Sequence, residues 1–278
     1  EMTSSLVGSE MCIRDRLSAE RVLGVDASYN LRYGDFKARI SGYYTRIYDQ
    51  SKVISYYDDV AATFTNFAMS GIDKVHFGLE AAVSIPIYHT LALNGAVSWG
   101  QYTYDSNPYY LQTQDNSGDI VSDGYVYWKD FRVESTPQTA VNVGLSWRSN
   151  NNIYLSADFN YYNNMYLSMS PIYRTDAVIT GGMAPGDIEH LRRQEKFDSA
   201  YTLNASIGKN WYIHRKYTLG FSLDVKNILN NQDIKTGGYE QTRLSKNTET
   251  TVTTYQAFDS KYFYMFGTTY YLNLYFRF

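Results

Sequence analysis

The sequence predicts an all-β protein: nine antiparallel strands forming the C-terminal part of a transmembrane β-barrel. Three observations carry this. From Ser18 onward apolar and polar residues alternate with period two, as in strands with two unlike faces. Short and long connections alternate strictly between successive strands, as barrels do with tight turns on one side of a membrane and long loops on the other. Aromatic residues, 29 Tyr, 13 Phe and 4 Trp in 278 residues, gather at strand ends and in the long connections.

The strand 23–33 sets Leu23, Val25, Ala27, Tyr29, Leu31 and Tyr33 against Gly24, Asp26, Ser28, Asn30 and Arg32. The strand 36–44 repeats this, with Phe36, Ala38, Ile40, Gly42 and Tyr44 opposing Lys37, Arg39, Ser41 and Tyr43. Next come 75–85 (Val75, Phe77, Leu79 against His76, Gly78, Glu80) and 91–99 (Leu91, Leu93, Val97, Trp99 against Asn94 and Ser98). The strands 141–147 and 153–161 set Val143, Leu145, Trp147, Leu155, Phe159 and Tyr161 against Asn142, Ser146, Ser156, Asp158 and Asn160. The last three are 201–211, 217–225 and 270–278. Across all nine, Lys209 is the one charge on an apolar face, while Asp26, Arg32, Lys37, Arg39, Glu80, Asp158, Asp224 and Arg277 fall on polar faces. A soluble sandwich also alternates, so the connections decide. Short ones lie at Gly34-Asp35, 86–90, 148–152 and 212–216. The others run to roughly 30 to 40 residues, longer than compact soluble domains carry without structure.

Aromatic placement gives two girdles at lipid–water boundaries. Tyr33, Phe36, Trp147, Trp211 and Tyr217 mark the short-turn end, and Tyr44, Trp99 and Tyr161 the loop end. An odd run of strands cannot close on itself without unpaired backbone in lipid. Upstream strands are therefore expected beyond this chain. Its end reads differently: Tyr270, Leu272, Leu274, Phe276 and Phe278 at two-residue spacing resemble the C-terminal strand recognised by the outer-membrane barrel assembly machinery.

Composition excludes other classes. A mean hydropathy of −0.41 and the lack of an apolar run near ~18 residues exclude helical membrane spans. A net charge of −3 argues against a nucleic-acid partner, and 44% hydrophobic residues argue against disorder. Residues 1–16 (EMTSSLVGSEMCIRDR) lack the alternation and resemble translated sequencing-adapter sequence; they are read as non-native, with residues 17–278 as barrel. They hold the one cysteine, Cys12, so the barrel portion has no disulfide or Cys-based metal site.

Four segments carry a family resemblance: YYNNMYLSMSPIYRT (Tyr161–Thr175), LDVKNILNNQ (Leu223–Gln232), TGGYEQTR (Thr236–Arg243) and KYFYMFGTTYYLNLYFRF (Lys261–Phe278). In this order they resemble the C-terminal part of TonB-dependent outer-membrane transporters, most closely the SusC/RagA-like subfamily of Bacteroidetes. The resemblance implies the last nine strands of a 22-stranded barrel in a Gram-negative outer membrane. It implies energised import of oligosaccharides or peptides, and no catalysis. It also implies coupling to the TonB complex through a plug domain and TonB box that this chain lacks, and a SusD-like surface lipoprotein as partner. A passive porin or adhesin-type barrel is the alternative reading.

Within the long loops, Tyr56, Tyr57, Tyr109, Tyr110, Tyr125, Tyr127 and Trp128 are the candidate substrate contacts, since ring faces stack on sugars or apolar side chains. Their plainer role is to pack loops together. Asp115, Asp119 and Asp123 lack the spacing of a calcium loop. The histidines His76, His89, His190 and His214 share no metal-ligand spacing. Gly181-Gly182 and Gly237-Gly238 read as loop turns, and 187–196 as a turn or two of helix. No catalytic residue, metal or cofactor is expected.

Overall fold

The computed structural model describes residues 18–59, 61–134, 136–180, 188–189, 192–214, 216–247 and 254–278. Residues 1–16 with Cys12, the pair Gly181-Gly182 and His190 lie outside the described residues. The expected strands form β1 (Arg21–Tyr33), β2 (Phe36–Asp58), β3 (Thr63–Tyr88), β4 (Leu91–Tyr104), β7 (Thr139–Arg148), β8 (Ile153–Asn163), β9 (Ala200–Ile213), β10 (Tyr217–Lys226) and β15 (Thr269–Arg277). They hydrogen-bond in that order, each antiparallel to its neighbour, with β1 and β15 at the edges. The register keeps like faces together: Val25 opposes Tyr44, Leu79 opposes Trp99, and Leu223 opposes Leu272.

The long connections depart from the expectation of structureless loops. The first is not a loop at all, because β2 and β3 run on past the expected strand ends and turn between Asp58 and Thr63. At ~3.3 Å per residue, β2 extends far beyond the ~9–11 residues that cross a bilayer. The second folds as a hairpin, β5 (Tyr109–Gln114) with β6 (Ile120–Tyr125), laid along the upper part of β3. The third holds a 3₁₀ turn (Ile172–Arg174) and a short helix, α1 (Asp176–Thr180). The fourth holds β11 (Lys235–Tyr239), β12 (Leu244–Asn247), β13 (Thr254–Ala257) and β14 (Lys261–Tyr264), paired as β11–β14 and β12–β13. Gly237 and Gly238, expected in a loop turn, lie in β11. A Cβ on Gly238 would fall 2.3 Å from the Lys261 carbonyl oxygen, so the close strand approach requires glycine.

A bend separates the two halves of the β2–β3 hairpin. The register shifts between Ile47 and Lys52, where Asp49 takes a positive φ, and Gly71 does so on β3. Extra residues of this kind kink a ladder. Short bonds brace the kink: Arg21 to Asp49 at 2.8 Å, Arg46 to Asp105 at 2.7 Å, and the Asp49 amide to Asp73 Oδ1 at 2.9 Å.

The two faces of the nine-strand sheet differ as the alternation requires. The apolar face is bare: Tyr33 is 83% exposed, and Val25, Ile40, Val97, Leu145 and Leu219 are all exposed. In water such a surface would aggregate; in lipid it needs no cover. The polar face is tied across strands by side chains. Ser84 donates to Asn94 at 2.9 Å and Asn94 to Ser146 at 3.2 Å. Asn142 donates to Asn160 at 2.9 Å and Asn160 to Thr202 at 3.3 Å. Three tyrosines on this face, Tyr43, Tyr154 and Tyr275, lie over the glycine directly opposite in register: Gly78, Gly208 and Gly220. Among the described residues no helix is long and apolar enough to cross a membrane.

Candidate functional site

The long connections pack into one layer with its own core. Tyr56, Phe67, Met69 and Ile72 from the β2–β3 hairpin meet Tyr104 at the end of β4 and Tyr110, Val126 and Trp128 from the second connection. Met169, Ile172, Tyr173 and Val178 arrive from the third, and Leu244 from the fourth. Phe67 stacks on Tyr110 at 4.6 Å between centroids, and Tyr104 tilts against Trp128 at 4.7 Å. Burial pushes the Tyr173 hydroxyl up to about 12; it donates to the Arg243 carbonyl at 2.8 Å.

An ion pair crosses this layer. Arg174 is fully buried and grips Glu240 in bidentate fashion, Nη1 to Oε2 at 2.5 Å and Nη2 to Oε1 at 2.9 Å. Glu240 also accepts the Ser170 amide at 2.8 Å, and Arg174 Nη1 donates to the Ser170 carbonyl at 3.1 Å. The Arg174 guanidinium lies 5.3 Å over the Phe131 ring. This geometry satisfies most of the polar valences that a buried charge needs. A second pair, Arg243 on Asp59 at 3.0 Å, ties the fourth connection to the hairpin tip at the surface. The hydrogen bond from Arg243 holds the Asp59 carboxyl below its ordinary value.

The seven aromatic candidates divide between core and surface. Tyr56, Tyr110 and Trp128 are buried in the layer core, Trp128 at 2% exposure, so their rings serve mainly as packing surface. Tyr57 (43% exposed) and Tyr125 are exposed, and Tyr109 and Tyr127 half-buried. Tyr56 and Tyr57 stand in β2, not in a loop. Adjacent strand positions send Tyr56 inward and Tyr57 outward, and Tyr110 inward and Tyr109 outward. The outward rings pair up: Tyr57 meets Phe64 edge-on at 5.2 Å, and Tyr109 meets Tyr125 edge-on at 5.7 Å. Tyr109 donates to Asp123 at 2.5 Å, and Tyr127 to Asp176 at 2.5 Å. Asp115 accepts from Asn66 at 2.9 Å. Among the described residues no His, Cys, Asp and Glu gather in a group that can hold a metal ion.

At the short-turn end Tyr33 opposes Phe36, Leu91 opposes Trp147, and Leu219 opposes Trp211. Lys209 lies 5.2 Å over the Trp211 ring, and Tyr217 stacks on Phe276 at 5.8 Å. At the other end Tyr44 opposes Phe77, Phe77 meets Trp99 at 6.3 Å, and Tyr161 opposes Tyr201. The residues of β15 from Tyr270 to Phe276 show their apolar side chains on the bare face, and Phe278 follows the strand end.

Two groups of residues escaped the sequence reading. Arg174 and Glu240 lie in two of the segments that carried the resemblance, 161–175 and 236–243, and the ion pair is what joins them. Asn227, at φ 50°, is a buried hub in the second segment, 223–232. Its side chain donates to the Asn231 and Phe266 carbonyls at 2.9 and 3.0 Å, and its carbonyl accepts Thr268 Oγ1 at 2.9 Å. It fixes where β10 ends and β15 begins. The recurrence of Asn in NILNNQ was the available signal.

Protein-family models and curated proteins gave no match to this chain. Solved structures did. The chain is similar to the outer-membrane transporter YddB from Escherichia coli, with TM-score 0.50 and 13% identity over 93% of this chain and 32% of that one. The FrpB iron transporter from Neisseria meningitidis (F3-3 variant) gives 0.48 and 13%, over 94% and 32%. FpvA from P. aeruginosa, bound to a heterologous pyoverdine, gives 0.47 and 12%, over 93% and 27%. The chain thus spans about a third or less of these proteins' length. Its two-faced antiparallel sheet has the fold of an outer-membrane transporter barrel.

Proposed function

We propose that this chain is the C-terminal barrel wall and extracellular layer of a TonB-dependent outer-membrane importer of the SusC/RagA-like kind. The observation that carries this is the nine-strand sheet with one face bare and apolar and the other cross-linked by amides and hydroxyls. Such a sheet is stable where lipid covers one side and an aqueous lumen the other. The importer takes up oligosaccharides or peptides by binding and gated passage. No catalytic step is assigned to it. Energy comes from the TonB complex acting on a plug outside this chain, and a SusD-like lipoprotein sits on the extracellular layer. In this reading Tyr57, Tyr109, Tyr125 and Tyr127 are the rings placed to meet solute or lipoprotein. Tyr33, Phe36, Trp147, Trp211 and Tyr217 form one lipid girdle, and Tyr44, Trp99 and Tyr161 the other. Tyr270, Leu272, Leu274, Phe276 and Phe278 form the strand read by the assembly machinery.

The test is uptake by cells carrying the complete gene. Accumulation of an oligosaccharide or peptide should stop when a protonophore collapses the proton-motive force or TonB is deleted. Uptake that persists under both conditions identifies a passive porin and overturns the proposal. Co-purification of a lipoprotein encoded beside the gene tests the partner separately.

A further inference from the structure

Within the alternating stretches of the nine strands, Lys209 is the one charge on an apolar face. It stands inside the sheet, on β9, with β8 on one side and β10 on the other. Its neighbours on that face are all apolar: Ile207 and Trp211 along the strand, Ile153 across on β8 and Phe221 across on β10. Both flanking strands belong to this chain, and the face looks away from the lumen, so neither a plug nor a further strand stands beside it. A charge on the lipid side of a barrel is costly at the bilayer midplane and tolerated near the interface, where it calls for a partner.

A second lysine approaches the first. Lys209 reaches toward the short turn, with its Nζ 5.2 Å from the centre of the Trp211 ring. Lys216, in the turn before β10, lies with its Nζ 5.3 Å from the centre of the Tyr217 ring. Trp211 opposes Leu219 in register, so Tyr217 is its diagonal neighbour on the same face, about 7–8 Å away. The two ammonium groups thus come to adjoining rings from opposite sides, one from the bilayer and one from the turn. The rings are themselves held: Trp211 meets Phe221 at 5.9 Å, and Tyr217 stacks on Phe276 at 5.8 Å. Among the described residues neither lysine makes an ion pair.

We propose that Lys209 and Lys216 clamp the phosphate of an anionic phospholipid in the leaflet at the short-turn side. Girdle Trp and Tyr rings sit at headgroup level, where the phosphates are. The two ammonium groups give the phosphate oxygens charge and donors, and the acyl chains run up the bare apolar face past Ile207 and its register partner Leu223. This rests on the membrane-barrel fold and holds for any solute.

The test is native mass spectrometry of the complete protein in detergent, titrated with phosphatidylglycerol and with phosphatidylcholine of the same acyl chains. Phosphatidylglycerol should be retained at least about fivefold more strongly, since the choline cation offsets the phosphate charge. Lys209→Gln and Lys216→Gln should each lose about fivefold for phosphatidylglycerol, and the double variant should hold the two lipids alike. Lys37→Gln, on the polar face, should change nothing. Equal retention of the two lipids by the native protein, retention of neither, or a preference that survives in the double variant overturns the proposal. So does an equal loss in Lys37→Gln, because the lipid then answers overall charge. Displacement by inorganic phosphate at matched ionic strength also overturns it, because the site then takes a free anion. Solute uptake should be unchanged in the double variant, which separates a failure of the lipid site from a failure of the import reading.

Discussion

Leu145 in the wall is 47% exposed, while Trp128 in the layer above it is closed off from solvent. Both are large apolar side chains. The wall needs no protein against its apolar face because lipid supplies the cover. The layer stands where lipid ends, so its connections must bury apolar side chains against one another. One chain thus carries two solutions to the same problem, and substitutions should separate them.

The largest contrast is expected from matched truncations in the complete protein. Trp128→Ala removes a core side chain and should cost the layer about 3–5 kcal/mol. Leu145→Ala removes a side chain that lipid replaces, and should leave thermal stability in detergent almost unchanged. Limited proteolysis and thermal unfolding read both; equal losses would mean that the wall has a protein partner on its apolar face.

Arg174→Met probes the layer through charge. It leaves the largely buried Glu240 carboxylate with the Ser170 amide but without its cation, at a cost of about 3–5 kcal/mol, and Arg174→Met with Glu240→Met should recover much of the loss. The readout is protease cleavage in the third and fourth connections, with the wall still resisting denaturation by detergent. A double variant no more stable than the single one would deny the pair its bridging role.

Gly208→Ala tests the wall. The new Cβ would fall 2.1 Å from the Tyr154 ring, which must swing off the sheet. The cost should be about 1 kcal/mol, and a double-mutant cycle with Tyr154→Ala should show most of it to be shared. Purely additive losses would show that the ring and the glycine act independently.

The smallest effect is pH-dependent. Asp59 has its carboxyl held below the ordinary value by Arg243, so this pair contributes above the unfolded carboxylate pKa of ~4. Its contribution fades as pH falls through the lower folded value. Cleavage at the hairpin tip should therefore rise below pH ~4 in the native protein. Asp59→Asn should show the higher cleavage at all pH values; a pH profile identical to the native one would remove the pair from the account.

Alternation made the wall legible, because a period of two needs only local sequence and lipid on one side lets it run unbroken. It failed in the layer for a physical reason. Between Ile47 and Lys52 the register shifts, which breaks the phase from which a face could be read. Beyond the bend both faces of β2 and β3 meet protein or water, so Tyr56 and Tyr57 look alike in sequence and differ only in what folds over them. The core there is assembled from four connections far apart in the chain, and contacts such as Arg174 with Glu240 leave no local pattern. Similarly, β5 was illegible because its pairing partner is a part of β3 that was itself read as loop.

The three tyrosines lying over glycines also set the texture of the polar face. A ring laid along the sheet projects by its thickness, whereas one standing upright would project by its full length. At Gly78, Gly208 and Gly220 the wall therefore stays smooth where bulky side chains would have roughened it. Two of the three ring ends are tied down as well, the Tyr43 hydroxyl by Tyr102 at 2.6 Å and the Tyr275 hydroxyl by Asn210.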